Sequence, residues 1–107
     1  MDDYHKRIGW GEREVEVTIN GHTRVLDIAD LKNQRAIEHK TRTGETPRSG
    51  YFSLTEEIKW EVERDAMLVK EDWDITWVFE DARASQPLLE AIREAGIKYK
   101  IIEKGGT

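Results

Sequence analysis

Between Glu14 and Ile19 the apolar residues keep a period of two. Val15, Val17 and Ile19 alternate with Glu14, Glu16 and Thr18, the spacing of a strand with one buried face. Asn20-Gly21 then supplies the dipeptide favoured in a type I′ hairpin turn. It predicts a second strand over roughly 22–29, pairing Ile19 with His22 and, counting outward, Glu14 with Asp27. "DLKNQ" (30–34) reads as a further turn and "RAIEHK" (35–40) as a third antiparallel strand. "TRTGETPRSG" (41–50) is loop by composition. The period next lengthens: Leu54, Ile58, Val62, Ala66 and Val69 recur every three or four residues and predict a helix over 54–70. Ser53 would be its N-cap, with Glu56 completing a capping box. "DITWVF" (74–79) is an unbroken apolar run rich in β-branched and aromatic residues, a buried strand. Ser85, with Pro87 in the first turn, opens a second helix that Gly96 closes. "IKYKII" (97–102) is a last strand with Ile97, Tyr99 and Ile101 on one face. Residues 2–10 fit either a short helix or an irregular lead-in.

The resulting order, (α)βββ-α-β-α-β, places the chain in the α/β class. A three-stranded antiparallel meander is followed by α-β-α-β, with parallel neighbours and right-handed crossovers in a mixed central sheet flanked by helices. Residues 1–107 suit a single domain. Cysteine is absent, which excludes disulfides, thiolate metal sites and a thiol nucleophile. No apolar run reaches the length of a membrane span and no signal peptide is visible, so no membrane partner is expected. The net charge of −5 argues against a generally basic nucleic-acid coat. It leaves room for a local basic groove, or for carboxylates gathered around a cation.

Candidate chemistry sits at the end of the third strand. Strand residues two apart share a face, so Glu38 and Lys40 project side by side, and His39 points to the opposite face. The spacing by itself says little: Glu57-Ile58-Lys59 repeats it on a helix, where the two ends do not meet. Asp27 changes the picture. It lies across a short connection from Glu38. It would face the side of Glu14 and Glu16, while its apolar neighbours Leu26 and Ile28 point the other way. A carboxylate between core residues, near a second carboxylate, needs a partner to offset its desolvation, and a divalent cation would serve. His5, His22 and His39 lack zinc-site spacing. Trp60, Trp73 and Trp77 could stack on bases, although Trp77 within "DITWVF" reads as core. Ser53 and Ser85 read as helix caps, not nucleophiles.

"RVLDIADLKNQRAIEHKT" resembles the active-site hairpin of the PD-(D/E)xK nuclease superfamily, the restriction-endonuclease-like fold: an acid on one strand, then Glu-x-Lys on the next. The likeness runs from about Gly11 to Ile102. In "GYFS", "ERDA", "TWVF" and "SQPLLEAIREAGI" the chain is also similar to restriction-endonuclease-fold toxin domains of bacterial polymorphic toxins. The resemblance implies that Asp27 and Glu38 bind Mg²⁺ or Mn²⁺, that the His39 backbone carbonyl is a further ligand, and that Lys40 is catalytic. Lys40 would orient or deprotonate the attacking water, or neutralise the phosphorane. Family members often carry a supporting Gln on the following helix; the matching position here is Glu61, one turn before Asp65. Leu26 stands where the family has proline. Glu14, or Glu12, could add a carboxylate. Lys32, Arg35, Arg42 and Arg48, with Arg24, would form a basic fringe for a phosphate backbone. The implied activity is metal-dependent endonucleolytic hydrolysis, with DNA favoured and RNA left open. As a toxin effector the domain would be delivered into a target-cell cytoplasm and opposed by an immunity protein. A cytoplasmic phage or repair-type nuclease, and a non-catalytic interaction module keeping this fold, are the alternatives. A homodimer would help cut both strands.

Overall fold

The structure, a computed structural model, describes residues 2–41 and 51–102, without the side chains of residues 2–4. The lead-in forms a short helix, α1 (Asp2–Ile8). β1 (Glu12–Ile19) and β2 (His22–Asp30) make the expected hairpin, and β3 (Arg35–Thr41) follows an exposed turn. Asn20 and Gly21 have φ of 48° and 77°, the left-handed pair a type I′ turn requires. Ile19 pairs with His22 and Val15 with Leu26, as the turn length dictates.

Two elements escaped the sequence reading. β4 (Tyr51–Phe52) pairs in parallel with β6 (Arg83–Ala84) as a separate two-stranded sheet. Between them run α2 (Glu56–Lys70) and β5 (Asp74–Glu80); α3 (Gln86–Glu94) and β7 (Lys98–Ile102) complete the order. The main sheet is mixed, β1-β2-β3-β5-β7, antiparallel through β3 and then parallel from β3 to β5 to β7. α2 and α3 bury Ile58, Val62, Leu68, Leu88 and Ile92 against Leu26, Ile75, Trp77 and Phe79 on one face. The other face holds a smaller cluster of Ile28, Ile37 and Val78, covered by Ile8 of α1 and Trp10.

Several local expectations are corrected. The N-cap of α2 is Thr55, not Ser53: its Oγ1 accepts from the Ile58 amide at 3.2 Å. The buried stripe of α2 is Ile58, Val62, Asp65 and Leu68, with Ala66 and Val69 at its margin. Ser85 caps α3 as expected, accepting from the Leu88 amide at 3.3 Å. On β7, Ile97 is buried just before the strand, but Tyr99 and Ile101 are 38% and 48% exposed, so that face is not core. The loop expected over 41–50 lies outside the described residues except for Thr41, which closes β3.

The most consequential correction concerns β2. An unbroken pleat would put Leu26 and Ile28 on one face. Instead Leu26 and Ala29 belong to the core beneath α2, and Ile28 to the core on the opposite face. The alternation slips at Asp27. Beside it, between the pairs Arg13–Ile28 and Val15–Leu26, Glu14 adopts a left-handed φ of 52°. The slip turns Asp27 toward the α2 side of the sheet, the side of Glu38.

Candidate active site

β3 delivers Ala36, Glu38 and Lys40 to the α2 face, and Ile37 and His39 to the other, as period two requires. The β2–β3 ladder ends at the pair Ile28–Ile37. One step further, the Asp27 carboxylate takes the place of a strand carbonyl: its Oδ2 accepts the His39 amide at 2.8 Å. Asp27 therefore sits directly beside Glu38, whose charge bears on it.

Glu38 is 4% exposed and stands between two cations. Lys40 Nζ lies 3.0 Å from its Oε2, and Arg24 Nη2 lies 3.0 Å from its Oε1. That second approach does not follow an N–H direction, so Glu38 Oε1 is buried without a hydrogen bond. Lys40 also donates to Glu61 Oε1 of α2 at 2.7 Å, and its ammonium lies 5.2 Å from the Trp77 ring centre. Arg24 is 4% exposed. Its Nε donates to Asp65 Oδ1 at 2.9 Å and its Nη2 to Asp65 Oδ2 at 3.3 Å. Asp65 Oδ2 also accepts the Trp77 indole Nε1–H at 2.8 Å.

The network gathers four carboxyls, Asp27, Glu38, Glu61 and Asp65, around two cations, Arg24 and Lys40. Burial, and after it the crowding of carboxylates, shows in the titration of its members. Burial, then the charge of Glu38, pushes Asp27 up to about 7 against the favourable His39 amide and Lys40. Glu61 is raised by burial and by Glu38, with Lys40 opposing. Asp65 is raised by burial despite Arg24. Burial works against the charge on Lys40, but Glu38 and Glu61 outweigh it and raise the ammonium further. Lys40 is thus held as a cation within this network.

The donor set fits a hard divalent cation. Two carboxylates from adjacent strands meet; one holds a buried oxygen without a hydrogen bond, and the other is pushed up to about 7 by burial and by its neighbour's charge. Among the described residues no three His, Asp or Glu side chains are arranged to hold an ion together. An ion here would complete its shell with water and phosphate oxygens, which Mg²⁺ accepts readily.

The other expected residues are distributed differently. His39 gives this site its backbone amide. Its imidazole lies on the far face, bonded to Glu80 at 2.9 Å, and Glu80 also pairs with Arg7 of α1. Glu14 is exposed and not brought into the network. Arg24 is no surface fringe but part of the buried network. Arg35 points to the opposite face, its guanidinium 3.9 Å above the Trp10 ring and its Nε 3.5 Å from Asp30. Lys32 is exposed in the turn that precedes β3, at the other end of the strand from Lys40. Arg42 and Arg48 lie outside the described residues. His5 and His22 are committed elsewhere, to the Gly11 carbonyl at 2.8 Å and to Arg64 at 3.2 Å. Trp73 and Trp77 are core, while Trp60 is 41% exposed with Arg64 stacked 4.1 Å over its ring.

Sequence reasoning missed the Arg24–Asp65–Trp77 chain. Its signal was present: an acid stands at a core position of the α2 stripe, and an arginine two residues from Leu26 shares its buried face.

No family model, curated protein or solved structure matches this chain. Among the described residues no helix is long and apolar enough to cross a membrane.

Proposed function

We propose that this chain is a divalent-metal-dependent nuclease of the PD-(D/E)xK kind, hydrolysing phosphodiester bonds in DNA. The observation that carries the reading is the convergence of Asp27, Glu38 and Lys40 from two strands into one buried network with more carboxyls than cations. The sheet supports it: an antiparallel meander whose third strand continues in parallel, through α2, to β5 is the order expected of a restriction-endonuclease-like core.

Asp27 and Glu38 would hold Mg²⁺ or Mn²⁺, which supplies Lewis acidity toward water and the phosphoryl oxygens. The protein's own residues do the rest. The His39 amide fixes one oxygen of Asp27 and leaves the other for the ion. Lys40, held as an ammonium by Glu38 and Glu61, sits where it orients the attacking water and offsets charge developing on phosphate. Glu61 thereby fills the supporting role on α2.

The domain suits a toxin effector, for which cutting without sequence preference suffices; backbone contacts position nucleic acid without reading it. An immunity protein would then cover the mouth at Asp27, Lys40 and Glu61. Purified protein should nick plasmid DNA with Mg²⁺ and stop with chelator, while Glu38→Ala loses at least the hundredfold typical of a key catalytic group and keeps its circular dichroism spectrum. Cleavage by Glu38→Ala within tenfold of wild type would remove the site assignment. Expression in bacterial cytoplasm should degrade nucleoids and halt growth, and equal growth of wild type and Lys40→Ala at equal soluble expression would remove the toxin role.

A further inference from the structure

We propose that Arg24 is the positioning residue for Glu38: anchored by Asp65 and Trp77, it fixes the carboxylate from the side opposite Lys40. The inference rests on the metal-site reading above and deepens it, because it names residues outside the Asp–Glu-x-Lys set on which the site's geometry depends.

The hydrogen bonds that Arg24 donates hold it still. Nε and Nη2 take both oxygens of Asp65, at 2.9 and 3.3 Å, and Nη1 donates to the Val25 carbonyl at 2.8 Å. Asp65 is fully buried and is itself oriented by the Trp77 indole at 2.8 Å, and Trp77 is fully buried in β5. A planar guanidinium gripped by a carboxylate through two of its nitrogens has almost no freedom left. The edge that remains, at Nη2, stands 3.0 Å from Glu38 Oε1. Glu38 is thus fixed through a chain that crosses from β5 through α2 and β2 to β3.

Stability alone does not account for such an arrangement. Burying an arginine and two carboxylates carries a desolvation cost that their attraction only partly offsets, and apolar residues of similar size often do as well or better. Lys40 already neutralises Glu38 from the other side. What Arg24 adds is a charge held in one place. Anchored by Asp65, its Nη2 stands 3.0 Å from Oε1 and sets where that oxygen rests relative to an ion shared with Asp27. Lysine could supply the charge but not the fork. Partners that orient a metal ligand are typically worth about 10–100-fold in metal affinity or activity.

The test uses the full chain with Mn²⁺ as the probe, its binding followed by electron paramagnetic resonance and cleavage by plasmid nicking. Arg24→Ala would strand Asp65 and can simply unfold, so the informative variants are Arg24→Lys, which keeps the charge, Asp65→Asn, which keeps the shape, and the two combined. Arg24→Lys should bind Mn²⁺ at least about tenfold more weakly and also lower kcat at saturating metal. Asp65→Asn should do the same more mildly. The double variant should be no worse than Arg24→Lys, because Asp65 acts through Arg24. A purely structural role would lower Tm and leave the affinity and kcat of the folded fraction intact. Arg24→Lys within threefold of wild type on both readouts, or fully additive losses in the double variant, would overturn the inference while leaving the metal site standing. Absence of Mn²⁺ binding in the wild type would overturn both.

Discussion

Asp27 concentrates the electrostatics of the site in one side chain. Its carboxyl is held up at about 7 by burial and by Glu38, well above the ordinary aspartate range. The folded state therefore binds a proton that the unfolded chain has released, and this contribution to stability is lost as pH rises from about 4 to about 7. Under the proposed metal-site reading, a cation would take the proton's place above that window. Mn²⁺ should raise Tm more at pH 8 than at pH 5.5, and Asp27→Asn should flatten both the gain and its pH dependence. Thermal melts at the two pH values check this, and an equal gain at both would contradict it. That Glu38 and Lys40 share a face was legible in the sequence because strand parity is local information; Asp27 stood out by its type and its place near Glu38, but the side it faces did not follow from parity. Arg24 and Asp65 were not legible, since each is intelligible only through a partner 41 residues away. Read singly, a buried acid on a helix and an arginine on a strand are anomalies; together they are one ion pair. Trp77→Phe removes the indole donor to Asp65 and trims a fully buried ring. It should cost about 1–3 kcal/mol in urea unfolding, and a change below about 0.5 kcal/mol would contradict the role given to that hydrogen bond.

At the scale of elements, the sequence conveyed period and missed phase. The hairpin register followed from Asn20-Gly21, yet the slip in β2 at Asp27 did not, because an alternating pattern carries no mark of where a strand turns over. The cap of α2 was misread by two residues for a related reason: Ser53 and Thr55 both offer a hydroxyl, and only the first turn decides between them. Thr55→Ala should cost about 1 kcal/mol of stability, and Ser53→Ala almost nothing; equal costs in urea unfolding would contradict the cap. β4 and β6, two residues each, are too short to have a period. α1 owes its place to contacts beyond its own sequence. Arg7 pairs with Glu80 on β5, and Glu80 also holds the His39 imidazole. Burial works against the charge on Glu80, but Arg7 and His39 outweigh it and lower the carboxyl. Burial, offset only in part by Glu80, keeps His39 below the usual histidine range. Arg7→Ala should speed hydrogen exchange in α1 while leaving β5 protected. Unchanged exchange in α1 would show that the helix is held by its apolar contacts alone.

For the whole molecule, a net charge of −5 and a site whose own cations are already paired limit what holds nucleic acid. Lys32 and Arg35 lie away from the mouth, so under the proposed reading phosphate contacts would fall to Lys40 and the cation, with Arg42 and Arg48, which lie outside the described residues, as the remaining candidates. With three or fewer phosphates neutralised by side chains, the slope of log K against log salt should be shallow, about −3 at most. A steep slope, measured with short duplexes, would require a larger basic surface than these residues provide. The class of fold was readable from element order, because the sheet is built from long strands and strongly periodic helices. Where the strands bring distant charges together was readable only in three dimensions. The most direct test of the metal site is anomalous diffraction from crystals soaked in Mn²⁺: one strong peak should lie about 2 Å from carboxylate oxygens of both Asp27 and Glu38, and no peak there at millimolar Mn²⁺, or a peak bound elsewhere, would contradict the site.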